Sequence, residues 1–167
     1  MRARHRLRLA ANAANGSTLL GVAVARLGGA RLHPAPGGLL VASGYRLAVP
    51  RAPAFCVGNV LVTRDAGFAG RPRLLAHEAR HATQYAWCGL AMLPLYGIAA
   101  ALSWALTGDT GAGNVFERGA GLAGGGYSGK GLRPALRRPA RRRPARPAPG
   151  TCSPPASVRP GLFFGGA

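Results

Sequence analysis

Acidic residues are almost missing from this chain. Four of them, Asp65, Glu78, Asp109 and Glu117, stand against 22 Lys plus Arg in 167 residues, a formal charge of +18. A soluble domain carries about a quarter charged residues of mixed sign, whereas here the charged share is 16 % and nearly all positive. Few carboxylates are therefore available to build any site. Cysteine is also scarce. Cys56, Cys88 and Cys152 are odd in number and form no CxxC pair, so neither a disulfide framework nor a thiolate zinc knuckle is indicated. A reduced, cytoplasmic setting fits better than secretion. A signal peptide is not indicated either: Asn12, Asn15, Gly16 and Ser17 interrupt the apolar stretch, no A-x-A-like site follows at a convincing distance, and the N-terminus reads as unprocessed.

Glycine and proline, by contrast, are abundant at 26 and 14, and the whole length is not expected to fold. The length suits one domain with tails. Residues 1–14 form a basic segment with Arg2, Arg4, Arg6 and Arg8, and residues 15–129 have a globular composition. Residues 130–167 hold nine basic residues and no acid. That Arg/Pro-rich tail is expected to be disordered, because it has too little apolar area to order itself. Its charge gives it non-specific affinity for nucleic acid or an anionic membrane, but it lacks the interleaved aromatics that would stack on bases. The bland alternative is a solvated extension.

Within the domain, residues 17–29 suit a short helix capped by Ser17 and stopped at Gly28-Gly29. Residues 30–33 and 39–42 flank a Pro/Gly turn and read as a hairpin. Ala54 to Thr63 suggests one further strand, with Gly58 and Asn59 marking a bulge or a close approach to a ligand. Pro72 opens a helix reaching about Trp87. Residues 86–106 carry no charge, which is enough to span a bilayer, but Gly89, Pro94 and Gly97 divide them. Two buried helical pieces fit as readily as one span. Asn114 begins another short helix, weakened by Gly119 and Gly121. The result is an α+β domain with a short antiparallel sheet and several helices.

The pattern that carries chemistry is His77-Glu78-Ala79-Arg80-His81. Residues four apart share one helix face, so both imidazoles reach one tetrahedral ion, while Glu78 holds a water beside it. Zinc lowers that water's pKa and the carboxylate takes its proton. The five-residue pattern arises by chance roughly once in a thousand such sequences. The competing reading is an amphipathic helix whose histidines are merely packed. A third ligand is needed, and His5, His33, Asp65, Asp109, Glu117 and the cysteines are the available side chains.

His77-Glu78-x-x-His81, a Gln at position 84, and Asn114-x-Phe116-Glu117-x-x-Ala120 together resemble the gluzincin class of zinc metallopeptidases, especially its compact minimal domains. The resemblance covers residues 54–127. It implies a zincin-like fold, with residues 55–63 at the upper edge of the substrate cleft. It also implies His77, His81 and Glu117 as Zn2+ ligands, Glu78 as general base and a peptide or protein as substrate. Glu117 is alternatively the N3 member of a capping box begun by Asn114. The class adds a His or Tyr to stabilise the oxyanion. No histidine follows Glu117, which leaves Tyr96 and Tyr127 as candidates, each with ordinary packing as the alternative. The leading expectation is a zinc-dependent hydrolase. The others are a membrane-associated or anion-binding protein with a structural HEARH helix, and a zinc-binding fold without turnover.

Overall fold

The glycine at position 58 decides how the central strands run. In the computed structural model, which describes residues 2–65, 67 and 71–134, Gly58 has φ of +60°. The chain reverses there, giving two strands, β3 (Ala54–Val57) and β4 (Val60–Thr63), paired antiparallel with Val57 opposite Val60. The single bulged strand expected over residues 54–63 is thus a hairpin. Glycine is required because a Cβ at position 58 would lie 2.5 Å from Ser17 C and Thr18 N. The close approach is to a helix backbone, not to a ligand.

The other hairpin, β1 (Arg31–Ala35) and β2 (Leu39–Ser43), forms as the Pro/Gly turn predicts. The two hairpins join through β2 and β4, which run parallel with Leu40 opposite Val60. The sheet order is β1-β2-β4-β3, so the sheet is mixed rather than wholly antiparallel. Central strand β4 is buried at every position, as a strand covered on both faces must be. Val60 and Val62 pack with Ala25 of helix α2 (Ser17–Leu27) on one face, and Leu61 packs with Ala82 of helix α3 (Pro72–Cys88) on the other. Edge strand β3 lies beside α3.

The basic N-terminal segment is helical, α1 (Ala3–Ala14), and is fastened to this core by Asn12. The Asn12 side chain is fully buried and donates to Asn59 Oδ1 at 3.0 Å and to the Ala82 carbonyl at 2.8 Å. Asn59 in turn donates to Thr18 Oγ1 at 3.1 Å. One buried amide pair therefore locks α1, α2, the β3–β4 turn and α3 together, as buried polar groups require partners.

Helix α3 ends where Gly89 takes φ of +58°. After a short 3-10 turn over Gly89–Ala91, helix α4 (Met92–Thr107) follows, then α5 (Val115–Ala120). Residues 86–106 are thus divided as their glycines suggest, but the second piece is not buried, with only Met92 and Ser103 enclosed in α4. By length and composition alone, Pro72–Thr107 is apolar enough to cross a membrane. The expected disordered tail lies, from residue 135 onward, outside the described residues.

Candidate metal centre

Helix α3 brings His77 and His81 onto one buried face, one turn apart, as the i, i+4 spacing dictates. Their Nε2 atoms are 3.1 Å from each other. Glu117 reaches in from the first turn of α5, its Oε2 3.1 Å from His77 Nε2 and its Oε1 3.6 Å from His81 Nε2. All three residues are buried. An ion bound tetrahedrally by bonds of about 2.0–2.1 Å sets its ligands about 3.3 Å apart, and the three observed separations bracket that value.

The far nitrogens settle which atoms face inward. His77 Nδ1 lies 3.0 Å from the Gly121 carbonyl, and His81 Nδ1 lies 2.8 Å from Gln84 Oε1. Gln84 is oriented by its own amide, which donates to the Phe116 carbonyl at 2.9 Å. Both partners accept only, so each Nδ1 carries hydrogen and each Nε2 faces the other ring and the Glu117 carboxylate. Two ring nitrogens and a carboxylate that converge in this way can hold a cation between them. Oxygen partners on the outer nitrogens are also what orients metal-binding histidines.

Electrostatics point the same way. Burial by itself would raise the Glu117 carboxyl, but hydrogen bonds from His77, His81 and Tyr96 outweigh it and hold the pKa at about 2. Burial would lower the His77 imidazole, yet the contact with Glu117 and the nearby Glu78 raise it. Glu78, 4 % exposed, is pushed above the usual carboxylate range by burial, which prevails over the neighbouring histidines. Its Oε2 has no hydrogen-bond partner. An orphaned buried carboxylate oxygen is costly, and one beside two imidazoles and a second carboxylate marks a place suited to something positive.

Of the other possible third ligands, none joins the cluster. Asp65 pairs with Arg71 at 2.8 Å, and Asp109 accepts from the Gly111 and Ala112 amides. His5 and His33 lie on α1 and β1, Cys56 donates to the Gly58 carbonyl, and Cys152 is outside the described residues. The capping alternative for Glu117 divides cleanly. Asn114 does cap α5, accepting from the Phe116 amide at 2.9 Å, while the Glu117 side chain leaves the helix end for the cluster. Among the described residues, His77, His81 and Glu117 form a group able to hold a metal ion.

The site opens into a cavity of about 380 Å³, bordered by β3 through Phe55 and Val57 and by α4 through Leu93 and Tyr96. Tyr96 donates its hydroxyl hydrogen to Glu117 Oε1, and Tyr127 borders the same cavity. Glycine has a specific part here as well. A Cβ on Gly125 would fall 2.6 Å from His77 Cε1 and Nε2, so the segment after α5 lies flat on the imidazole only because it lacks side chains. The pattern Gly124-Gly125-Gly126, which by sequence promised only fraying, serves this contact. Arg80 adds a clamp between the helices, donating to the Ala120 carbonyl at 2.6 Å. Sequence reasoning did not anticipate Arg80 or Gly125. Gln84 stood in the motif, and its position three residues after His81 was the available signal of their contact. Compared with known families, curated proteins and solved structures, the chain matches none.

Proposed function

We propose that this chain is a zinc-dependent hydrolase of the gluzincin kind, acting on peptide bonds. The observation that carries the reading is the triangle of His77 Nε2, His81 Nε2 and a Glu117 oxygen, at tetrahedral ligand spacing, with each imidazole fixed from behind. Two nitrogens and one carboxylate form a zinc donor set that leaves a fourth position open, the arrangement of catalytic rather than structural zinc. Zinc held there polarises a carbonyl and brings the pKa of water toward neutrality.

The chain's own groups supply the rest. Glu78 adjoins the first histidine, is buried, and has a free oxygen. As the base it takes the proton of the attacking water while the water oxygen adds to the peptide carbonyl carbon. It then gives that proton to the leaving nitrogen as the carbon–nitrogen bond breaks. Burial raises its pKa, which favours its taking up that proton. Strand β3 is an edge of the sheet and borders the cavity, so an extended peptide can add to it through backbone hydrogen bonds. That use of the strand before the active helix is what the gluzincin resemblance implies, and a zincin-like fold is part of the same proposal.

The test is metal content together with turnover. One zinc per chain, lost in His77→Ala, is the expected result, with hydrolysis of casein or peptides abolished in Glu78→Gln while zinc stays bound. A folded sample that takes up no metal overturns the site. Hydrolysis surviving Glu78→Gln overturns the role of the base.

A further inference from the structure

Helix α4 is inside out. In a helix on a water-soluble surface the polar residues point outward. Here the polar side chains point in: Tyr96 donates to Glu117 and Ser103 Oγ accepts from the Gly113 amide at 2.8 Å. The outward face consists of Leu93, Leu95, Ile98, Leu102, Trp104 and Leu106, each between 44 % and 60 % exposed. A continuous exposed apolar face of this kind marks an interaction surface.

Charge identifies what it meets. All four acids lie among the described residues, and none is free at the surface. Glu78 and Glu117 are buried in the metal centre, Asp65 is paired with Arg71, and Asp109 with Lys130 at 3.7 Å. Among the described residues, every unpaired side-chain charge is therefore positive. At the end of α4 the Arg133 guanidinium sits 5.2 Å over the Trp104 ring and donates to the Trp104 carbonyl at 3.0 Å, so a cation and an indole border the apolar face together. Trp87, near the end of α3, is also exposed. An indole at the edge of an apolar segment, with a basic residue beside it, matches the layered chemistry of a lipid surface, in which anionic headgroups cover hydrocarbon. Pro72–Thr107 together is long enough to cross a bilayer, but its α3 half carries the buried His77, Glu78 and His81. Alone, α4, at 16 residues, is about 24 Å long, short of the ~30 Å hydrocarbon core, which favours immersion of its exposed face over a crossing.

We infer that α4 docks this protein onto an anionic lipid bilayer by sinking its outward face into one leaflet, with Arg133 at its end on the headgroups. The inference does not depend on the metal centre or on hydrolysis.

The experiment uses the full chain carrying Trp87→Phe, so that Trp104 alone reports. Mixed with vesicles of phosphatidylglycerol and phosphatidylcholine, the protein is expected to float with the lipid. Trp104 emission is expected to shift blue and to be quenched by brominated acyl chains. Adding Ile98→Glu and Leu102→Glu, both on the exposed face, lowers flotation by at least about tenfold while circular dichroism is unchanged. Three results overturn the inference. One is no flotation. Another is flotation that salt abolishes without any quenching of Trp104, which leaves charge attraction only. The third is a lipid-free dimer that the Glu variants split without altering flotation, which assigns the face to a second copy of the chain.

Discussion

The Tyr96 hydroxyl donates to Oε1 of Glu117, which ties the carboxylate of α5 to helix α4 and leaves Oε2 facing His77. Removing that donor while keeping the ring isolates its contribution. Tyr96→Phe is expected to weaken zinc binding by about tenfold, the lower end of what outer partners of metal ligands contribute, with the fold intact. Competition against a chromogenic chelator measures it. An unchanged affinity would show that α5 alone positions Glu117.

Gly125 touches the His77 ring so closely that a methyl group cannot be added without movement, since the new carbon would stand 2.6 Å from Nε2. Overpacking of this kind costs about 1–3 kcal/mol, and here the side chain that must yield is a ligand. Gly125→Ala should therefore lower zinc affinity by roughly ten- to a hundredfold with little change in far-ultraviolet circular dichroism. The same substitution at Gly129, where a Cβ meets nothing within 4 Å, serves as the control and should leave affinity unaltered.

The metal cluster was more legible in the sequence than the sheet. His77, Glu78 and His81 are fixed by a local rule, because four residues of helix put two rings on one face wherever the helix sits. Glu117 is 36 positions beyond His81, and its approach depends on how α5 packs; only the resemblance to gluzincins suggested it. The β3–β4 hairpin was misread because Phe55, Val57, Val60 and Val62 look like one run, and Gly58-Asn59 is equally compatible with a bulge. The parallel pairing of β2 with β4 is a non-local choice that no period records. The exposure of α4 was hidden for a similar reason. An uncharged apolar stretch reads alike whether it lies in a core or faces outward.

Removing bound zinc should loosen the domain, since the metal would otherwise join the Glu117 carboxylate of α5 to the two imidazoles of α3. A ligand that binds only the folded state stabilises it by about 4 kcal/mol at a thousandfold excess over its dissociation constant. For a domain of this size that corresponds to roughly 10 °C in melting temperature. Chelator-treated protein is expected to melt lower by that order, and zinc should restore it, in calorimetry or thermal circular dichroism. His77→Ala should melt at the same temperature with and without zinc. If the wild type also ignores zinc, His77, His81 and Glu117 do not bind it.

Asn12 makes the N-terminal helix part of the domain rather than a basic appendage. Its amide is the donor to Asn59 Oδ1 and to the Ala82 carbonyl on α3, and its own Oδ1 receives Ser17 Oγ at 3.3 Å. Asn12→Ala strips Asn59 of a buried partner and leaves a small cavity. Losing a partner in this way costs about 1–3 kcal/mol per group left unsatisfied, so a loss of about 3 kcal/mol is expected by urea unfolding. Arg6→Ala, exposed on the same helix, should stay within about 0.5 kcal/mol of the parent. Because Asn12 braces α3 at Ala82, one residue beyond His81, the variant should also bind zinc less tightly. Equal stability of the two variants would mean that α1 can leave the core without cost, and the metal centre would then not depend on it.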